Sequence, residues 1–81
     1  MLEIGFAGIH APPLELAGWE VVVAEPDPAF RARAEARAGL VIDEPEGTFD
    51  AVIAPAGARL EGIAATRVVL VDDRGRASIR E

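Results

Sequence analysis

The chain has no cysteine, lysine, tyrosine, asparagine or glutamine, and its only histidine, serine and tryptophan are His10, Ser78 and Trp19. Without cysteine, disulfides, thiolate catalysis and cysteine-bound zinc are excluded. The other absences remove most of the side chains that usually serve as nucleophiles or proton carriers. Positive charge is scarce as well: eight arginines face 14 acidic residues, for a net charge of −6. That balance argues against a nucleic-acid partner, whose phosphates require a basic face. No apolar run reaches the ~18 residues of a membrane span. The opening Met1-Leu2-Glu3 lacks the basic region and apolar core of a secretion signal, so the expected compartment is the cytoplasm.

What is present is apolar: 51% of 81 residues, enough for the core of one domain spanning 1–81. A chain this short hides only ~60–65% of its unfolded surface, so burial against a second subunit would help it. Apolar runs end in turn signals at Leu2–Phe6, Val21–Ala24, Leu40–Ile42, Ala51–Ala54 and Val68–Val71. They are continuous rather than alternating and rich in valine and isoleucine, as in strands covered on both faces of a parallel sheet. Asp27-Pro28 predicts the cap and first residue of a helix through Ala38, closed by a left-handed Gly39. Its apolar face is Phe30, Ala34 and Ala38, and its arginines read as a solvated face. Shorter helices are predicted over about Pro13–Ala17 and Ala58–Ala65. Arg76–Arg80 reads as an antiparallel return through the turn at Asp72-Asp73-Arg74-Gly75. Asp50 is expected in the turn before the fourth strand. Trp19, next to Gly18, is a candidate contact surface.

The chemistry-bearing residues gather where strands end. Glu3-Ile4-Gly5-Phe6-Ala7-Gly8 brings a strand into a glycine turn that lets a ligand approach the backbone closely. Twenty residues after Gly5, Glu25 closes the second strand, where an acid accepts hydrogen bonds from ribose hydroxyls. Asp43 closes the third, and Phe49-Asp50-Ala51-Val52 leads into the fourth. His10 follows the glycine turn and is the one candidate general acid or base.

These stretches resemble class I S-adenosylmethionine-dependent methyltransferases. That family opens with an acid–aliphatic–Gly-x-Gly-x-Gly stretch, ends its second strand in an acid, and often starts its fourth with Phe-Asp-x-Val. Nicotinamide-dependent hydroxyacid dehydrogenases share Ile-Gly-Phe-x-Gly, but their first helix is longer than the interval from Gly8 to Gly18. The resemblance covers nearly the whole chain but only the cofactor half of a family member. It implies a small Rossmann-like, three-layer α/β domain, with a parallel sheet of order 3-2-1-4-5 and a C-terminal hairpin. It also implies S-adenosylmethionine or another nucleoside-type ligand held by Glu3, Gly5, Gly8, Glu25 and Asp43. Ala7 and Ile9 replace the second and third glycines, and Ile9 would intrude on the methionine end. Pro12 and Pro13 shorten the first helix. The function expected is therefore non-catalytic, with no metal. The alternative is a ligand-free structural or interaction module acting as a homodimer or a partner's subunit. Leu14, Leu16 and Trp19, or the edge near Ile79, are its candidate interface.

Overall fold

The computed structural model describes residues 1–80. In chain order the elements are β1 (Leu2–Ile4), α1 (Ala11–Leu16), β2 (Val22–Ala24), α2 (Pro28–Glu35), β3 (Leu40–Ile42), β4 (Gly47–Pro55), β5 (Ile63–Val71) and β6 (Ala77–Arg80). They build a mixed α/β domain around one six-stranded sheet of order β3-β2-β1-β4-β5-β6. The first five strands are parallel, and β6 returns antiparallel along β5, from Val71↔Ala77 to Val68↔Arg80. The terminal return is thus a full sixth strand rather than an appendage beside five.

Local chemistry sets the element ends. Asp27 caps α2 by accepting the Ala29 N–H at 2.9 Å, and Pro28 occupies the first helical position. The helix ends at Ala36 with right-handed backbone, and Gly39 does not take the left-handed conformation expected of it. Two bonds, from Arg37 N–H and Ala38 N–H to the Ala34 carbonyl, tighten the chain before Gly39 is reached. α1 starts at Ala11, two residues before the expected Pro13, because its first turn needs no donors from Pro12 and Pro13. After β5, Asp72 Oδ1 accepts the N–H groups of Arg74 (2.9 Å) and Arg76 (2.8 Å), and Gly75 at φ +80° completes the reversal.

Both helices pack on one face of the sheet. Ala11 of α1 and Ala34 of α2 lie buried with Val21 and Val23, supported by Leu14, Ala38 and Val41. The opposite face buries Leu2, Ala24, Val52, Ala54 and Leu70. The helix expected over Ala58–Ala65 to cover it does not form. Gly57 (φ +88°) and Gly62 (φ +80°) take left-handed conformations in a turn segment, and from Ile63 the chain is already strand. Nor does Asp50 sit in a turn; β4 begins at Gly47 and Asp50 is an exposed strand position. The three-layer arrangement is therefore replaced by one helical layer and a cover made of strand and loop.

The reach of the chain explains that cover. Ile42 lies level with Ala24, and Ala24 with Ile4. Leu2 is level with Val52, which puts Ala54 at the same height as Ile42. A straight β4 would place Gly47 seven residues lower, ~23 Å along the strand and three strand spacings, ~14 Å, across. The five Cα steps from Ile42 to Gly47 span at most ~19 Å. The first half of β4 must therefore bend over the sheet and carry the start of β5 with it. Phe49, Ile63 and Ala65 accordingly pack on the Leu2–Val52 cluster, joined by Ala58 and Leu60 from the turn segment.

Candidate functional site

Across the middle of the sheet the register aligns Val41, Val23, Glu3, Ile53, Val69 and Ile79 in one row on the helical face. Five are aliphatic and one, Glu3, is a carboxylate with no solvent exposure. Its place in an apolar row is explained by the turn above it. Glu3 Oε2 accepts the Gly8 N–H at 2.7 Å and Oε1 accepts the His10 N–H at 3.0 Å. These are charge-assisted bonds to two donors that the loop itself leaves unpaired. Glu3 is thus a strut behind the turn.

The turn it holds is left-handed three times: Gly5 (φ +78°), Ala7 (φ +51°) and Gly8 (φ +78°). At Gly5 a Cβ would lie 3.0 Å from the Pro55 ring; at Gly8 it would lie 3.3 Å from Ala34 Cα. Gly8 therefore seats the turn on α2 and is buried there, away from the cleft, whereas Gly5 stays exposed.

Above the carboxyl ends of β1 and β2 opens a cleft of about 350 Å³. Gly5, Phe6, Ala7 and Ile9 form one wall and Phe30, Arg33 and Arg37 the other, with Glu25 among the lining residues. β1 is also the strand from which the chain builds the sheet in both directions, the place where open α/β sheets take their ligands. Glu25 is 8% exposed, and its Oε2 lies 3.4 Å from the Asp27 backbone N–H. Arg37 donates to the Ala7 carbonyl at 3.1 Å, and the Arg33 guanidinium lies 5.4 Å from the centroid of the Phe30 ring.

Of the five residues the resemblance assigns, Gly5 and Glu25 line this cleft. Glu3 and Gly8 shape it from behind. Asp43 does not line it: exposed just past the end of β3, it is paired with Arg31, which also bonds Glu35 at 3.0 Å. His10 does not line the cleft either. Its ring stands edge-on to Phe6 with centroids 4.8 Å apart. Its Nδ1 is buried without a hydrogen-bond partner, 3.6 Å from Glu3 Oε1. Among the described residues no three His, Cys, Asp or Glu side chains converge on a common point, and no helix is long and apolar enough to cross a membrane.

Phe30, Arg33 and Arg37 are the site residues that sequence reading missed. Their spacing of three and four places them on one stripe of α2 and its end, the signal that could have singled them out. Comparison of the chain with protein-family models, with curated proteins and with solved structures gives no match.

Proposed function

We propose that this chain is a small Rossmann-like binding module, non-catalytic, that holds a nucleoside-type ligand above the ends of β1 and β2. One observation carries the reading: Glu25, mostly buried at the end of β2, shares a cleft with the exposed Gly5 turn. A carboxylate there suits the two hydroxyls of a ribose, and the glycine gives the ligand access to the backbone. Ile9 and Phe30, 53% and 44% exposed, offer apolar surface for a base.

The lining fits only part of S-adenosylmethionine. Glu25 and Gly5 suit its adenosyl half. Two guanidinium groups oppose its sulfonium cation. No methyl transfer is drawn through this site.

The test is an NMR titration of the whole chain with adenosine. The amide signals of Gly5, Ala7 and Glu25 move, while those of β6 do not, and Glu25→Ala removes the response. Unmoved signals at millimolar adenosine would overturn the reading.

A second reading, an interaction module that works as a homodimer, is favoured by a separate observation. On the helical face, Ile53, Val69 and Ile79 continue the central row beyond the two helices, and Ile79 at the sheet edge is 66% exposed.

A further inference from the structure

We infer that the ligand of the cleft is a phosphorylated nucleoside, its phosphate held between Arg33 and Arg37; this rests on the nucleoside reading above. The chain carries a net charge of −6, yet the cleft lining holds two arginines and a single acid, a local charge of +1. The other arginine of α2 is already engaged: Arg31 is paired with both Glu35 and Asp43. Arg33 and Arg37 form no ion pair among the described residues. Two guanidinium groups without carboxylates on the wall of one cleft leave donors free for an anion from outside.

Their geometry suits one. They stand four residues apart, Arg33 on α2 and Arg37 just past its end, and both line the cleft. Each is steadied at little cost to its donors: Arg37 gives one nitrogen to the Ala7 carbonyl, and Arg33 rests near the Phe30 ring. The remaining N–H groups match the paired oxygens of a phosphate. Glu25 in the same cleft repels a bare anion and accepts the ribose hydroxyls, so the three side chains together select a molecule with a diol at one end and a phosphate at the other. About 350 Å³ lies near the small end of ligand sites and suits one nucleotide rather than a dinucleotide.

Calorimetry on the full chain with 5′-AMP, adenosine, inorganic phosphate and S-adenosylmethionine tests this. The expected result is 5′-AMP binding about tenfold or more tighter than adenosine, the size of effect that charge-assisted bonds supply. Raising the ionic strength shrinks that ratio in the unmodified chain. Arg33→Gln brings the affinity for 5′-AMP down toward that for adenosine, whereas Arg31→Gln leaves the ratio unchanged. Equal affinity for 5′-AMP and adenosine overturns the inference and leaves the nucleoside reading standing. Binding of neither overturns both. Inorganic phosphate binding as tightly as 5′-AMP, or S-adenosylmethionine binding more tightly, also overturns the inference, the first by revealing a plain anion site.

Discussion

Gly8 donates its backbone N–H to the Glu3 carboxylate at 2.7 Å, joining the centre of the sheet to the far side of the glycine turn. The second carboxylate oxygen takes the N–H of His10, so both oxygens are occupied by donors. A glutamine at this position presents one oxygen and one NH₂, and the NH₂ would face a donor. Glu3→Gln should therefore cost about 1–3 kcal/mol, the range for leaving a buried donor unpaired. The measurement is a urea denaturation midpoint that falls with an unchanged slope. A variant as stable as the original chain would show that the turn finds other partners for these donors.

Ala7 and Gly8 make opposite predictions from the same backbone geometry. Ala7 holds φ +51° with a Cβ, a conformation costing L-residues ~1–2 kcal/mol. Ala7→Gly relieves that strain and loses part of the gain to unfolded-chain entropy, so a net stabilisation of about 0.5–1 kcal/mol is expected. Gly8→Ala adds the same strain and sets a Cβ 3.3 Å from Ala34 Cα, in contact with helix backbone that cannot swing aside. It should destabilise by about 2 kcal/mol or more. Thermal melts of the pair check both signs; two shifts in the same direction would contradict the geometry.

How far the sequence disclosed this molecule follows from where each residue's environment is set. Strand β2 was legible because burial on both faces leaves a continuous apolar run, and the start of α2 was legible because Asp27 and Pro28 act within a few residues of themselves. The segment from Ala58 to Ala65 was not. Leu60, Ile63 and Ala64 fit a helical stripe, but Ile63 and Ala65 facing in while Ala64 and Thr66 face out is an equally good strand pattern. Pairing with the first half of β4, a long-range event, decided between them. Gly5 and Glu25, picked out by the motif and its spacing, both line the cleft. Asp43 is paired with Arg31 from another element, a contact that no local pattern announces, and only the fold reveals that the stripe of Arg33 and Arg37 borders a cleft.

The turn between β5 and β6 offers a test of how far the sixth strand belongs to the fold. Asp72 Oδ1 accepts two backbone N–H groups there, at 2.9 and 2.8 Å. Asp72→Ala leaves both donors to water and should cost about 0.5–2 kcal/mol, as the loss of a comparable cap does. Hydrogen exchange should quicken first at the β5–β6 ladder, from Val71↔Ala77 to Val68↔Arg80. Exchange that quickens evenly across all six strands would mean that β6 unfolds only with the whole domain.

Self-association is the prediction that the sheet edge makes. β6 is exposed at every residue and forms one rim of the sheet, with an unpaired row of backbone donors and acceptors. Beside it on the helical face lie Ile79, Val69 and Ile53, which carry neither α1 nor α2. A chain this small gains much from burying such a strip, and two copies related by a two-fold axis can pair β6 with β6 and bury it twice. The protein should sediment at about twice 8.5 kDa at high concentration, and its melting temperature should rise with concentration. Ile79→Lys places a charge on both the rim and the strip, and should yield a monomer whose melting no longer depends on concentration. A monomer at every concentration in the unmodified chain would show that the β6 rim is left to solvent and that Ile79 has no partner copy.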